Sequence, residues 1–104
     1  MKNVMTDTQK YVVYIAGPMT GEPDLGRKKF YDTEQKLREE DGISVINPAT
    51  LPIDMPPERY MPICLAMVRE ADAVFVLKNW ENSEGTRMEI DYAKKLHKAI
   101  VFDD

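Results

Sequence analysis

The chain has 104 residues, 43% of them apolar and 31% charged, with a formal net charge of −4. That length fits one domain with a real core and leaves no room for a second. The acidic balance excludes a nucleic-acid polymer as the main partner, while a small nucleotide could still bind at a locally positive site.

The single cysteine, Cys64, excludes an intramolecular disulfide and fits a reducing, cytoplasmic setting. No stretch reaches the roughly 18–20 apolar residues of a membrane span, so no membrane partner is expected. No His/Cys/Asp cluster has ligand spacing, and His97 stands alone, so neither metal nor other cofactor is expected. Residues 1–10 are polar and lack the apolar centre of a signal peptide. They read as a flexible lead-in to one domain over residues 11–104.

Tyr11-Val12-Val13-Tyr14-Ile15-Ala16 is a continuous apolar run stopped by Gly17-Pro18. Continuous rather than alternating hydrophobicity predicts a strand covered on both faces, as in a parallel sheet. Residues 17–24 form a loop by their glycines and prolines, and Gly17 and Gly21 would let the backbone approach a ligand. Asp24 is a candidate N-cap for a helix over about residues 25–40, with Phe30, Thr33 and Leu37 inward and Gly42 ending it. The run Arg27, Lys28, Lys29 reads as a solvated face.

Ile43-Ser44-Val45-Ile46 is a second strand, closed by Asn47-Pro48. Residues 47–57 carry four prolines and make a long loop of the kind that often serves function. A second helix starts at Glu58 or Pro62 and runs to Glu70, burying Cys64, Met67, Val68 and Ala71. Asp72 stands at the entry to a third strand, Ala73–Leu77, with a turn or cap role the leading expectation. A last helix spans about Thr86 to His97, with Met88, Tyr92, Leu96 and Ala93 inward. Ala99–Phe102 is a fourth strand.

Strands and helices therefore alternate. Right-handed crossovers give a flavodoxin-like or Rossmann-like three-layer α/β sandwich with a parallel sheet of four or five strands. Ligands in such sheets bind at the carboxyl ends of the strands, where the loops 17–24, 47–57 and 77–86 meet. The candidate set at that edge is Tyr14, Gly17, Met19, Asn47, Trp80, Ser83, Gly85 and Glu89. Ser83 and Gly85 precede a helix start, where a hydroxyl and free N–H groups can hold a phosphate or carboxylate. Glu89 falls in the first turn, where the helix dipole would keep it ionised, as a carboxylate nucleophile requires. On spacing alone Thr86-x-x-Glu89 is also a capping box. Trp80 is either a core aromatic or a flat surface for a base.

Tyr14-Ile15-Ala16-Gly17-Pro18-Met19-Thr20-Gly21, Asn47-Pro48-Ala49, Ala71-Asp72 and Trp80-Glu81-x-Ser83-x-Gly85-x-x-x-Glu89 together resemble the nucleoside 2-deoxyribosyltransferase superfamily, most closely its small phage and prophage branch of uncharacterised proteins. The resemblance covers residues 11–102. It implies that Glu89 attacks the anomeric carbon of a deoxyribosyl group, that Tyr14 positions it, and that another base or water then takes the sugar. It also implies substrate contacts from Gly17, Met19, Asn47, Asp72, Trp80, Ser83 and Gly85, with Ser83 and Gly85 on a 5′-phosphate. The expected partner is a small nucleoside or nucleotide, and a homodimer or larger assembly is expected.

The sequence departs from that family twice. Cys64 occupies the place of an aspartate that protonates the leaving base, and Met19 the place of an arginine. Either Asp72, Glu81 or Asp54 supplies the proton instead, or the base leaves unaided, or the protein no longer catalyses. The competing readings are a non-catalytic nucleotide-binding module and a purely structural protein in which Glu89 caps a helix.

Overall fold

A computed structural model describes residues 10–103, so the expected lead-in, Lys10 aside, lies outside the described residues. The strands and α-helices of the described residues are β1 (Tyr11–Ala16), α1 (Arg27–Arg38), β2 (Ile43–Ile46), α2 (Tyr60–Glu70), β3 (Ala73–Val76), α3 (Glu84–Lys95) and β4 (Ala99–Phe102). All strand pairs are parallel, in one sheet of four strands ordered β2-β1-β3-β4.

Two apolar layers explain why β1 reads as an unbroken hydrophobic run. Ile15 packs with Phe30, Ala49 and Leu77 under α1. Tyr14 and Ala16 point the other way, into a second layer with Cys64, Val68, Val74, Val76, Ile90 and Ala93 from α2, β3 and α3. A central parallel strand covered on both faces has no polar side to show. Tyr14 lies opposite Ile46 of β2 and Val74 of β3 and is fully buried.

The approach to α1 differs from the sequence expectation. A short 3-10 turn covers Pro23–Gly26, and α1 starts only at Arg27. Asp24 and Leu25 have φ of 48° and 58°, so Asp24 is not an N-cap. Gly26 follows at φ 72°, and a side chain there would come within 2.9 Å of the Pro18 carbonyl. The chain thus folds back tightly on its own loop before the helix begins. Arg27 is not part of a solvated face either: it is half-buried, and its Nη2 donates to the Leu51 carbonyl at 3.0 Å. Lys28 and Lys29 are exposed as expected.

The proline-rich loop is ordered by local bonds. Asn47 Oδ1 accepts from Ala49 N–H at 2.8 Å, and the Tyr60 hydroxyl bonds the Pro52 carbonyl and receives Met55 N–H. At the other end of the chain α3 closes with paired bonds, Lys98 N–H to Ala93 O and His97 N–H to Lys94 O, with His97 in the left-handed region at φ 58°. This C-terminal motif turns the chain into β4.

Gly17 has a packing role at the junction of β1 and β3. A Cβ there would sit 2.8 Å from Leu77 Cδ1 and 2.9 Å from Leu77 Cβ, and Leu77 N–H is tied to Ala16 O. Gly17→Ala should therefore lower unfolding free energy by about 1–3 kcal/mol, the usual range for overpacking. Paired with Leu77→Ala, it should cost less than the sum of the single changes, because the two side chains compete for one space. Urea unfolding of the four proteins checks this.

Candidate active site

The start of α3 is built by Ser83. It is the N-cap, with φ −116° and ψ 112°, and its Oγ accepts from Thr86 N–H at 3.2 Å and from the Thr86 hydroxyl at 2.8 Å. Both acceptor positions are used, so the Ser83 hydroxyl proton is left to donate outward. Among the described residues the N–H groups of Glu84 and Gly85 have no acceptor. A hydroxyl donor and two free N–H groups at the positive end of a helix suit an anion. Gly85 keeps this end tight against α2: a Cβ there would come within 3.0 Å of Met61 Cε.

This start moves the helix two residues earlier than expected and changes the role of Glu89. Ser83 caps and Thr86 takes the third helical position, so Thr86-x-x-Glu89 is not a capping box. Glu89 is the sixth residue of α3, in its second turn, and does not reach back to the end. The phase differs as well. Met88, expected inward, is 47% exposed, and the inner face is Thr86, Glu89, Ile90 and Ala93. Small Ala93 lets the helix lie close to the sheet, and Glu89 is carried inward with it at 6% exposure.

Glu89 meets two other protonatable groups there, Tyr14 from β1 and Cys64 from α2. The Tyr14 hydroxyl is fully shielded and forms no regular hydrogen bond, although it faces both the Glu89 carboxyl and the Cys64 thiol. Burial raises the Glu89 carboxyl from 4.5 to about 7, and the neighbouring phenol offsets this only partly. The helix dipole therefore does not keep Glu89 ionised as the sequence suggested, because a second-turn position lies beyond the dipole's reach. Burial also raises Cys64 to about 11, with Glu89 adding to the effect. Tyr14 is raised well above its ordinary value, by burial first and then by Glu89. All three groups favour their neutral forms.

The other expected contacts divide into three groups. Trp80 is half-buried against the same layer as Tyr14, with its ring on Phe102 at 5.4 Å and 45°. Met19 packs with Ile15, Phe30 and Leu77 on the α1 side, away from the Tyr14 layer. The Asn47 side chain is occupied, accepting from Ala49 and donating to Glu34 at 2.9 Å.

Asp72 is not at this edge at all. It precedes β3 at the amino end of the sheet, where its Oδ2 accepts from Val12 N–H at 2.7 Å and its own N–H bonds Val12 O. It joins β1 to β3, and neither binding substrate nor protonating a base at Glu89 is open to it. The sequence reading gave Thr86 and Arg27 other roles, a helix cap and a solvated face. Ser83 followed three residues later by Thr86 is the signal that would have placed the cap correctly. Among the described residues no group of three acidic, Cys or His side chains could hold a metal, and no helix is long and apolar enough to cross a membrane.

The fold is that of a solved 2-desoxiribosyltransferase from Leishmania mexicana, with a TM-score of 0.70 at 24% identity. The match covers 88% of this chain, which spans 62% of that protein. Residues 11–102 match the family model described as "Domain of unknown function (DUF4406)", and the chain belongs to that family. No curated protein matches the sequence.

The burial of Glu89 has a measurable sign. With its folded-state value raised, the native protein holds a proton that the unfolded chain releases between pH 4.5 and about 7. The associated stability is present below 4.5 and is lost as pH rises through 7. At 1.36 kcal/mol per unit the loss is about 3 kcal/mol. Glu89→Gln, which cannot ionise, should match the wild type at pH 4 and be more stable at pH 8 by up to about that amount. Chemical denaturation at both pH values checks it.

Proposed function

We propose that the protein breaks the N-glycosidic bond of a nucleoside or nucleoside 5′-monophosphate, with Glu89 as nucleophile, and passes the sugar to water or to a second base. The observation that carries this reading is a buried carboxyl with no cap role and, among the described residues, no cation at hand, facing an orphaned phenol. Such a carboxylate is poorly solvated once ionised, and it gains most from a partner that develops positive charge. An anomeric carbon losing its base is such a partner.

In the first step a Glu89 oxygen bonds to C1′ while the C1′–N bond breaks, and the base leaves with the electron pair. In the second step water or a base attacks C1′, the Glu89 O–C1′ bond breaks to return the carboxylate, and the attacking group gives its proton to solvent. Tyr14 orients the Glu89 carboxyl. The Ser83 hydroxyl and the N–H groups of Glu84 and Gly85 hold a 5′-oxygen or phosphate, about 6–9 Å along the helix axis from Glu89 at 1.5 Å per residue. Trp80 offers the exposed part of its ring to the base. With Asp72 at the far end of the sheet and Cys64 a poor acid, the leaving base draws its proton from Glu81, Asp54 or solvent. Bases that leave readily as anions should then react fastest.

Cys64 also supports a second reading, a non-catalytic nucleotide-binding module. A thiol with its value raised to about 11 is a poor proton donor at neutral pH. Sequestration needs the anion cradle but not the acid.

The purified protein incubated with deoxynucleosides, ribonucleosides and their 5′-monophosphates, with and without an acceptor base, should release or exchange base. The rate should rise with pH through about 7 as Glu89 ionises. Glu89→Ala should lower it on the order of 10³-fold or more. Thermal stabilisation by one compound without turnover would select the binding module. Self-association of the chain is also part of the proposal, supported by the exposed apolar residues of β4.

A further inference from the structure

Cys64 is a buried group that the proposed chemistry leaves without a task. It lies inside α2 and is 6% exposed. Its thiol and the Glu89 carboxyl both face the Tyr14 hydroxyl, which is fully buried and has no regular hydrogen bond. A buried hydroxyl left without a partner costs free energy, so its place between two protonatable groups calls for a reason. Among the described residues, Tyr14 from β1 and Cys64 from α2 are the titratable groups that bear on Glu89. From β3 come Val74 and Val76, and the rest of the inner face of α3 is Thr86, Ile90 and Ala93. Tyr92 packs on the same layer, but its phenol pairs with Arg69.

The direction of hydrogen bonding through the three groups depends on Glu89. An ionised carboxylate can only accept, and a phenol has one hydrogen to give. With Glu89 ionised, the Tyr14 hydrogen turns to it and leaves the Tyr14 oxygen as an acceptor. The group on the other side that can fill this acceptor is the Cys64 thiol. Burial raises the thiol to about 11, so it keeps its hydrogen at neutral pH. With Glu89 neutral, the carboxyl hydrogen can go to Tyr14, and the chain then ends on sulfur, a weak acceptor. The forward chain ends on a charge, and charge-assisted hydrogen bonds are about twice as strong as neutral ones. A donor at position 64 therefore favours ionised Glu89, the form a nucleophile requires.

We propose that Cys64 is a positioning residue: its thiol donates to the Tyr14 oxygen and so directs the Tyr14 hydroxyl onto the ionised carboxylate of Glu89. The assignment rests on the functional reading in taking ionised Glu89 as the working form. Cys64 acts through Tyr14 and not on the substrate. A thiol that holds its hydrogen is unfit to protonate a leaving base, and for the same reason it is a lasting donor to Tyr14.

Serine and alanine are nearly the same size, so Cys64→Ser and Cys64→Ala leave the same space and differ in the donor. Glu89 would be followed by carbon NMR of protein labelled at the glutamate carboxyl, its signal assigned by its loss in Glu89→Gln. Cys64→Ala should titrate about half a unit to one unit higher than Cys64→Ser, as expected for one hydrogen bond. Cys64→Val is the donor-free variant to use if Cys64→Ala does not fold. In a Tyr14→Phe background the two variants should titrate together, because the link between them and Glu89 is gone. Equal midpoints with Tyr14 present would overturn the proposal; the residue at 64 would then be bonding a backbone carbonyl of α2 instead. A difference that persists without Tyr14 would overturn it too, since position 64 would then act on Glu89 directly. The NMR readout needs no turnover. A Tyr14-dependent difference without base release would sink the glycosidic chemistry and leave the role of Cys64, and base release without that difference would do the reverse.

Discussion

The structure around the candidate site depends on one electrostatic constraint: a carboxyl group held inside an apolar layer with no cation beside it among the described residues. Glu89 is 6% exposed, and its neighbours are a phenol and a thiol rather than a lysine or arginine. Removing a charge from water costs several kcal/mol unless it is paired. The group answers by holding its proton to about pH 7. A protein folding for stability alone would fill this position with leucine or glutamine. Glu89 lies beside an unpartnered Tyr14 hydroxyl, at the carboxyl end of the sheet, and it is this costly arrangement that supports the proposed chemistry.

The rest of the fold sets that group in position. Ser83 starts α3 early enough to put Glu89 in the second turn, beyond the helix's own capping needs. Ala93 lets α3 lie close to the sheet, so that Glu89 points into the layer instead of along it. Gly17 and Leu77 draw the ends of β1 and β3 together, and Asp72 fixes the same two strands at the other end. Tyr14 is held on both sides by β2 and β3. Positioning on rigid elements rather than loops makes the Glu89–Tyr14 arrangement independent of the loops around it.

The order of elements and the parallel sheet were legible from local signals alone. Apolar runs bounded by Gly17-Pro18, Asn47-Pro48 and Gly42 leave few alternatives. The phase of α3 was legible only in part: Ala93 is buried and Tyr92 packs on the Tyr14 layer as expected, whereas Met88 is 47% exposed and Thr86, Glu89 and Ile90 are buried instead, because hydrophobicity counts against a buried glutamate. The same blindness affected Arg27, whose charge suggested solvent while its guanidinium reaches Leu51. Asp24 looked like a cap but lies in a left-handed turn that only the packing of Gly26 under Pro18 explains. Local sequence rules fail at these positions because long-range contacts decide them.

The central claim is that Glu89 acts on the sugar, and trapping the covalent species tests it most directly. The protein would be mixed with the deoxynucleoside or 5′-monophosphate that releases base, quenched in acid within the first turnover, and digested with trypsin. Mass spectrometry would then follow the peptide from Met88 to Lys94. The account predicts a mass increase of one deoxyribosyl or deoxyribosyl phosphate group, placed on Glu89 by fragmentation and absent from Glu89→Gln. Base release with the sugar on another residue, or undiminished release by Glu89→Gln, would contradict it.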